Sequence, residues 1–204
     1  MRKFQQKLEH IYPIFDSILS LSDKEKLLKQ HSIVVWMVGL SGSGKSTLAR
    51  ALENTLHEKG YLTQLLDGDN LRTGVNNNLG FSDEERVENI RRAAEVSKLF
   101  MNCGVVTICS FISPTRAIRE MAMDIIGVNK YFEIYVNCPL EECEKRDVKG
   151  LYAKARSGEI KDFTGINAPF EAPQNPGLEL RTDLNDLETC HDILAKTILE
   201  KIKY

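Results

Sequence analysis

The chain has 204 residues, of which 42% are hydrophobic and 27% are charged. These proportions lie close to the globular average and exclude a disordered, collagenous or coiled-coil chain. Lysine and arginine number 27 against 29 aspartates and glutamates, giving a formal net charge of −2. A bulk nucleic-acid binder would carry a basic excess, so we expect no nucleic-acid partner. The length fits one large domain, or a domain with a short arm.

Five cysteines are scattered through the chain without a C-x-x-C spacing. An odd, scattered set indicates free thiols in a reducing compartment and not a disulfide framework or a zinc site. The N-terminus has no apolar stretch of the signal-peptide kind. The longest apolar run, residues 33–40, is far shorter than the ~18 residues of a transmembrane helix. We therefore expect a cytoplasmic protein without a membrane partner.

Residues 1–31 mix charged and apolar residues and contain no glycine. This composition predicts one or two helices in an N-terminal helical arm, with residues 32–204 as the main domain. The arm is expected to pack on the main domain through its apolar residues, which are Leu8, Ile11, Ile14, Phe15, Ile18 and Leu19.

Short apolar segments alternate with helical patterns through the rest of the chain. Strands are predicted over residues 33–38, 61–66, 105–109 and 131–136, and helices over residues 45–57, 82–102, 114–126 and 189–203. Ser82 and Glu85 have the spacing of a capping box. Alternating strands and helices predict an α/β three-layer sandwich, with a mostly parallel central sheet flanked by helices. Residues 150–177 form a loop that is longer than a simple connection in a compact domain, so we expect this loop to take part in function.

The segment Gly39-Leu-Ser-Gly-Ser-Gly-Lys45-Ser46 matches G-x-x-x-x-G-K-[ST] between a predicted strand and a predicted helix, so the sandwich is of the P-loop NTPase type. Its glycines let backbone N–H groups face phosphate oxygens at a helix N-terminus. Lys45 is expected to reach the β- and γ-phosphates, and Ser46 to ligate Mg²⁺. The alternative is a glycine-rich turn that binds nothing. The predicted ATP-binding residues are Gly39, Leu40, Ser41, Gly42, Ser43, Gly44, Lys45, Ser46 and Thr47.

Other features separate the classes of enzyme that use a nucleoside triphosphate. A GTPase needs N-K-x-D, but the nearby Asn129-Lys130 pair is followed by Tyr131 and Phe132. The third predicted strand lacks the terminal aspartate that holds magnesium in motor-type ATPases. Acidic residues instead end the second strand, at Asp67 and Asp69. Either could orient an attacking hydroxyl or bind the metal through water, although a simple turn that caps a helix is the alternative.

A basic and aromatic set follows this acidic turn. Arg86 and Asn89 are three positions apart and share a face of the predicted helix. With Arg72 they could grip an anionic group on a second ligand, while Phe81 stacks on a base. The alternative is a solvated helix face, which charged residues commonly form.

These motifs together resemble the adenylylsulfate kinases (APS kinases), over about residues 32–203. The shared stretches are Gly39–Ser46, Leu66–Arg72, Leu79–Ser82, Glu88–Arg92, Ser110–Pro114, Lys149–Tyr152, Phe163–Ile166 and Phe170–Pro173. The resemblance implies transfer of the ATP γ-phosphoryl group to the 3′-hydroxyl of adenylyl sulfate, which gives 3′-phosphoadenylyl sulfate (PAPS) and ADP in sulfate assimilation.

The resemblance also implies roles for individual residues. Asp69 and Lys45 would be catalytic, with Asp69 near the 3′-hydroxyl. Two interpretations of Ser113 stay open: a helix N-cap beside the substrate, which the Ser-Pro pattern favours, and the phosphoserine that family descriptions give. The substrate-binding positions would be Arg72, Phe81, Arg86, Asn89, Ile112, Lys149, Leu151 and Phe163.

In the family, the region that matches residues 145–166 is a mobile lid. Here Ala153 stands where the family usually has the first of two lysines, so we expect Lys154 or Arg156 to take the role of the lysines in the lid. Position 137 is Asn where members often have Asp. We expect a homodimer that works alone or with a separate ATP sulfurylase. A kinase for a sugar acid or an antibiotic, and a GTP-dependent switch, are the competing hypotheses.

Overall fold

The computed structural model describes residues 10–204 and contains one five-stranded sheet. The strands are β1 (Val34–Val38), β2 (Thr63–Asp67), β3 (Val106–Ser110), β4 (Tyr131–Asn137) and β5 (Leu178–Arg181). Their order across the sheet is β2-β3-β1-β4-β5, and every neighbouring pair is parallel. The predicted α/β class with a central parallel sheet is confirmed.

Helices cover both faces of this sheet. Within the described residues they are α1 (Leu21–Leu28), α2 (Lys45–Glu58), α3 (Gly68–Arg72), α4 (Asp83–Asn102), α5 (Arg116–Ile126), α6 (Leu140–Arg146), α7 (Leu151–Arg156) and α8 (Leu187–Ile202), after a 3₁₀ turn at Phe15–Ser17. None of these helices is both long enough and apolar enough to cross a bilayer.

The central strand β1 divides the core into two layers. All five of its side chains are fully buried, and alternate residues of a strand point to opposite faces of the sheet. Val35 and Met37 pack with apolar residues of α2 and α8. Val34, Trp36 and Val38 pack with residues of α4 and α5 on the other face. This arrangement leaves the carboxyl ends of β1, β2 and β3 along one edge of the sheet, where ligands bind in α/β folds.

The main elements agree with the sequence prediction to within about two residues, the usual uncertainty of helix and strand ends. The capping box at Ser82 is present, with Glu85 bonding back to the Ser82 backbone N–H. Strand β5 was not predicted, because it is a four-residue segment behind a stretch rich in glycine and proline. Helix α5 begins at Arg116 and its N-cap is Thr115, so the prediction of a cap at Ser113 is wrong.

The N-terminal arm differs from its prediction. Leu8 lies outside the described residues, but Ile11, Ile14, Phe15, Ile18 and Leu19 are between 51% and 77% exposed, so the expected packing of these side chains on the main domain is wrong. Helix α1 does contact the main domain, through Glu25. A boundary at residue 31 stays a prediction.

Glu25 joins α1 to the main domain. This carboxylate is 7% exposed and accepts hydrogen bonds from the Ser32 N–H and hydroxyl, at 2.8 and 2.9 Å. Lys130, immediately before β4, donates to it at 2.8 Å. The nearby Gln30 amide bonds to the carbonyls of Leu62 and Gly104, which precede β2 and β3. These contacts fix α1 at the amino edge of the sheet, opposite the edge where the strands end.

Candidate active site

A cleft of about 540 Å³ lies at the carboxyl edge of the sheet. It brings together most of the site residues that were predicted from the sequence, although they come from five separate parts of the chain. Those that line it are Ser41, Gly42, Gly44, Lys45, Ser46, Thr47, Asp67, Asp69, Arg72, Phe81, Arg86, Asn89, Ile112, Ser113, Lys149, Leu151 and Phe163. Gly39, Leu40, Ser43, Lys154 and Arg156 are outside this lining.

The phosphate loop needs glycine for steric reasons. A Cβ atom on Gly39 would lie 2.5 Å from the Val136 carbonyl oxygen and 2.8 Å from the Ser43 hydroxyl. Gly44 has φ +100°, in the left-handed region, and is the N-cap of α2. The loop therefore turns tightly from β1 into the N-terminus of α2, which presents backbone N–H groups and partial positive charge to the cleft.

Lys45 is the buried cation of this loop. Its side chain is 8% exposed, and Nζ donates to the Leu40 carbonyl oxygen at 2.7 Å. Burial lowers the pKa of Lys45 to about 8, and the carboxylates of Asp67 and Asp69 partly oppose this effect. A negatively charged phosphate would raise that pKa again, because it favours the charged form of the ammonium.

Ser46 and Asp67 form an oxygen-rich group beside the loop. The Ser46 hydroxyl donates to Asp67 Oδ2 at 2.7 Å and lies 3.2 Å from the Ser110 hydroxyl. The other oxygen of Asp67 accepts from the Asp69 N–H at 3.0 Å and caps α3. The turn-and-cap alternative is therefore present in the structure, and the same carboxylate also faces the phosphate loop.

This donor set fits Mg²⁺. Hydroxyl and carboxylate oxygens are the hard ligands that Mg²⁺ prefers, and the ion is usually held by one or two carboxylates together with substrate phosphates and water. Residues 10–204 contain no cluster of three or more acidic, histidine or cysteine ligands. A resident metal cage is therefore not found in this part of the chain, whereas an ion that arrives with a nucleotide suits Ser46 and Asp67.

Asp69 and Lys149 form an ion pair across the cleft. Asp69 lies on α3 and Lys149 lies in the segment between α6 and α7. Both side chains are more than half exposed. A pair this exposed contributes little to stability, so the groups are available to contact a ligand.

Two arginines surround the Phe81 ring. The Arg72 guanidinium lies 4.3 Å from the ring centroid and that of Arg86 lies 5.8 Å from it. Burial lowers the pKa of Arg72, and the positive charge of Arg86 lowers it further. The two like charges repel each other, so this part of the cleft favours an anionic ligand.

Arg86 also joins α4 to the segment that follows α7. It donates to the Phe81 carbonyl oxygen at 2.9 Å, to the Thr164 hydroxyl at 3.2 Å and to the Asp162 carbonyl oxygen. The solvated-surface alternative is therefore wrong for Arg86, which is held in a fixed geometry beside the cleft.

Ser113 occupies a constrained position in the loop between β3 and α5. It is 1% exposed and has φ +45°, in the left-handed region. Its hydroxyl accepts a hydrogen bond from the Trp36 indole, and its carbonyl accepts one from Arg119, both at 3.0 Å. Arg119 is itself buried and pairs with Glu133 on β4 at 3.3 Å. The buried side chains of Trp36 on β1 and Arg119 on α5 thus hold this loop against the cleft.

The segment between α6 and β5 contributes Lys149, Leu151 and Phe163 to the cleft. Tyr152 fixes it to the phosphate loop, because its hydroxyl donates to the Ser41 carbonyl at 2.9 Å and its ring packs edge-on against Phe163. The two residues that were expected to act from the lid, Lys154 and Arg156, do not line the cleft. Lys154 forms an ion pair with Glu159, and Arg156 forms one with Glu144.

The two departures from the family pattern lie outside the cleft lining. Ala153 is exposed, and its N–H donates to Asp147 at 3.0 Å. The Asn137 amide donates to Glu179 at 2.7 Å and so links β4 to β5.

Sequence reasoning missed Arg146 and Thr182 as neighbours of the phosphate loop. Arg146 donates to the Gly42 carbonyl at 3.3 Å and to the Thr182 carbonyl at 2.6 Å. The Thr182 hydroxyl donates to the Ser43 carbonyl at 2.9 Å. Thr182 follows β5 directly, so recognising that strand would have placed it at the same edge of the sheet as the loop.

Comparison with known proteins identifies the family. A family model described as adenylylsulphate kinase matches residues 31–181. The chain belongs to the adenylylsulfate kinase family. A Bacteroides thetaiotaomicron protein named adenylyl-sulfate kinase is 60% identical over 198 residues, which are 97% of this chain and 98% of that protein. The family that the motifs resemble is therefore confirmed, and with it the prediction of a kinase.

Solved structures agree with this assignment. The structure of the Mycobacterium tuberculosis APS kinase in complex with AMPPNP and APS is similar to this chain with a TM-score of 0.78 and 44% identity, covering 83% of this chain and 98% of that one. The hexameric APS kinase from Thiobacillus denitrificans is similar with a TM-score of 0.62 and 29% identity, covering 85% of this chain and 30% of that one. The predicted P-loop type of fold is confirmed by these APS kinase structures.

Proposed function

We propose that this chain binds ATP and adenylyl sulfate together in the cleft at the carboxyl edge of the sheet. The γ-phosphoryl group of ATP passes to the 3′-hydroxyl of adenylyl sulfate, and PAPS and ADP are released, which is the reaction of the adenylylsulfate kinase family. One observation carries the assignment of sites: the same cleft contains a phosphate loop with a buried lysine and a separate pair of arginines around an aromatic ring.

The phosphate loop is the proposed ATP site. The N–H groups at the start of α2 and the Lys45 ammonium would contact the phosphates and neutralise charge that develops on the transferred group. Mg²⁺ would be held by Ser46 and, through water, by Asp67 or Asp69, and it would supply further charge neutralisation. Arg146 and Thr182 support the loop from behind through its carbonyl groups.

The Arg72, Arg86 and Phe81 group is the proposed acceptor site. Adenylyl sulfate carries a base and a negatively charged phosphosulfate, and the group offers an aromatic face together with two guanidinium ions. Arginine suits phosphate and sulfate because its planar fork donates paired hydrogen bonds. Burial and then the charge of Arg86 lower the pKa of Arg72, and an anion bound here would offset the repulsion between the two arginines.

Asp69 is the proposed residue at the 3′-hydroxyl. Its carboxylate is exposed in the cleft, where it can orient the hydroxyl and accept its proton as phosphoryl transfer proceeds. Lys149 pairs with it and would keep it correctly placed. Ile112, Leu151 and Phe163 would complete the walls of the acceptor site.

Ser113 is proposed as a positioning neighbour of the substrate and not as a phosphorylated intermediate. Its buried hydroxyl accepts from the Trp36 indole, which is only a donor and so cannot act as a base. A serine nucleophile needs an adjacent group that removes its proton. Direct in-line transfer to the acceptor hydroxyl needs no such step.

Residues 145–166 are proposed to close over the bound phosphates. Tyr152, Arg86 and Lys149 provide contacts between this segment and the rest of the cleft. Lys154 and Arg156 would have to leave their present ion pairs to reach a nucleotide.

A coupled assay with Mg-ATP and adenylyl sulfate tests the function directly. We expect formation of PAPS and ADP, no transfer to gluconate, and no support of the reaction by GTP. The Lys45→Ala variant should lose about 10²–10³ in rate, as expected when one charge-stabilising contact is removed. Lys196→Ala, an exposed lysine change on α8, is the matched control and should stay fully active. Turnover of gluconate in place of adenylyl sulfate would contradict the proposal.

We also propose a homodimer in the cytoplasm that works alone or with a separate ATP sulfurylase. All five cysteines are free thiols, and four of them are buried, which supports a reducing compartment. One structural relative is described as hexameric, so light scattering should decide between a dimer and a larger assembly.

A further inference from the structure

Two buried asparagines touch each other at the acceptor end of the cleft. Asn76 lies in the loop between α3 and α4 and is fully buried, and Asn89 lies on α4 and is 7% exposed. Asn89 lines the cleft, whereas Asn76 lies behind it. The sequence motifs predicted Asn89 as a substrate-binding residue and predicted no role for Asn76.

The hydrogen bonds between them determine which way both amides point. One side-chain atom of Asn76 lies 3.4 Å from the backbone carbonyl oxygen of Asn89 and 3.0 Å from its side chain. A backbone carbonyl only accepts hydrogen bonds, so this atom of Asn76 must be its NH₂ group. The atom of Asn89 that it also meets must then be the side-chain oxygen, Oδ1. The NH₂ group of Asn89 is consequently left for an acceptor atom in the cleft.

The position of Asn76 has a stability cost. Its own side-chain oxygen is buried and has no hydrogen-bond partner within residues 10–204. Leaving a buried acceptor unpaired is unfavourable, and such local conflicts are expected at functional sites. An apolar side chain of similar size would avoid this conflict but could not donate to Asn89.

The loop that carries Asn76 is also held independently of its side chain. Arg92 of α4 donates to the Val75 carbonyl at 3.0 Å and to the Asn78 side chain at 2.8 Å. The Asn76 backbone N–H donates to the Leu71 carbonyl at 2.9 Å. Removing the Asn76 side chain should therefore free the Asn89 amide while these contacts keep the loop in place.

We propose that Asn76 is a positioning residue that fixes the Asn89 amide so that its NH₂ group donates into the acceptor site. The recognised atom is a hydrogen-bond acceptor of the nucleotide, a ring nitrogen or an anionic oxygen. This inference rests on the proposed function, because it assumes that the nucleotide at this end of the cleft is adenylyl sulfate.

The test compares four variants, Asn76→Ala, Asn89→Ala, the double Ala variant and Asn89→Asp. We measure KM for adenylyl sulfate, kcat, ATP affinity by calorimetry and the melting temperature of each. Asn76→Ala should raise KM for adenylyl sulfate about tenfold, the effect of one lost hydrogen bond, and leave ATP affinity unchanged. The double variant should be no worse than Asn89→Ala, because Asn76 acts through Asn89.

Asn89→Asp tests the orientation without disturbing the fold. A carboxylate oxygen can still accept from Asn76, but the second oxygen would then face the acceptor atom of the nucleotide. We expect this variant to bind adenylyl sulfate at least as weakly as Asn89→Ala. Asn77→Ala, an exposed change in the same loop, is the control and should match the wild type.

Three outcomes would overturn the inference. They are an unchanged KM in Asn76→Ala, additive effects in the double variant, and normal affinity for adenylyl sulfate in Asn89→Asp. Each of these leaves the proposed function intact if the wild type turns over adenylyl sulfate. A wild type that does not turn over adenylyl sulfate overturns both. If Asn76→Ala does not fold, Asn89→Asp alone decides the orientation.

Discussion

Trp36 and Ser113 are 77 positions apart in the sequence, and the indole N–H of the first donates to the hydroxyl of the second at 3.0 Å. Trp36 is a fully buried residue of the central strand β1, so its ring is a rigid support. Arg119 of α5 donates to the Ser113 carbonyl oxygen at 3.0 Å. Ser113 is therefore kept in a left-handed conformation at the wall of the cleft by contacts with β1 and α5.

Replacing Ser113 with alanine should lower kcat by less than about tenfold, the scale of one net hydrogen bond. The hydroxyl orients the loop through Trp36 and does not carry the phosphoryl group. Steady-state kinetics and incubation with γ-labelled ATP in the absence of adenylyl sulfate measure both aspects. We expect no label on the wild-type protein. Stoichiometric label that disappears in Ser113→Ala would contradict the positioning role.

Trp36→Phe is the matched control for this prediction. It removes the N–H donor and keeps an aromatic ring against Phe111 and Tyr131. It should affect kcat to a similar extent as Ser113→Ala, because both remove the same hydrogen bond.

The sequence predicted most accurately the elements that depend on interactions between residues close together in the chain. The apolar run of β1, the glycine-lysine pattern after it and the capping box at Ser82 each have a short-range cause, and the structure confirms all three elements. The residues predicted to bind the acceptor line one cleft, and Arg86 and Asn89 lie together there because they share a helix face.

The errors arise where distant contacts decide the conformation. The Ser113-Pro114 pair has the local signature of a helix start, but Thr115 is the cap, and Trp36 and Arg119 hold Ser113. The apolar residues of the arm are spaced as in a packed helix, yet Ile11 and Phe15 are exposed. Asn76 gave no signal in the sequence, because its role depends on the orientation of a side chain 13 positions away.

Asp69→Asn should lower kcat by about 10²–10⁴, the usual contribution of general acid–base catalysis, with little change in nucleotide affinity. The substitution keeps the shape of the side chain but removes the charge that orients the 3′-hydroxyl and pairs with Lys149. Steady-state kinetics and calorimetry with each nucleotide measure the two effects. Weaker ATP binding with an unchanged kcat would instead make Asp69 a metal or structural residue.

Asp67→Asn is the comparison for this variant. Asp67 bonds to Ser46 and caps α3, so its loss should raise the Mg²⁺ concentration needed for half-maximal activity. Asp69→Asn should have a smaller effect on that requirement.

Glu25 should stabilise the fold in a pH-dependent manner. Burial raises the pKa of this carboxyl, but hydrogen bonds from Lys130, His31 and Ser32 outweigh burial and lower the pKa from 4.5 to about 2. Because the folded pKa is below the unfolded value, the stabilisation is complete above pH 4.5 and is lost as the pH falls toward 2.

Glu25→Gln tests this contribution. The free energy of unfolding in urea should fall by about 2 kcal/mol at pH 7, the scale of lost hydrogen bonds to a charged group. The difference between variant and wild type should shrink as the pH falls below 4.5. Glu200→Gln, an exposed change on α8, should have no effect at either pH. A difference that is the same at neutral and acidic pH would exclude the ionised Glu25 as its source.

Arg86→Ala should weaken adenylyl sulfate binding roughly ten- to over a hundredfold, because a charge-assisted hydrogen bond contributes about 1.5–3 kcal/mol. ATP affinity measured alone should barely change, since Arg86 lies on α4 and not in the phosphate loop. Arg86→Lys should recover only part of the loss, as a point charge cannot replace the planar fork. Arg86 also bonds to Thr164, so Thr164→Val separates the two roles by removing that contact while keeping the guanidinium. Calorimetry of each nucleotide with all three variants is the measurement. Equal losses for ATP and adenylyl sulfate, or a loss in Thr164→Val as large as in Arg86→Ala, would mean that Arg86 serves mainly to hold the segment after α7 in place.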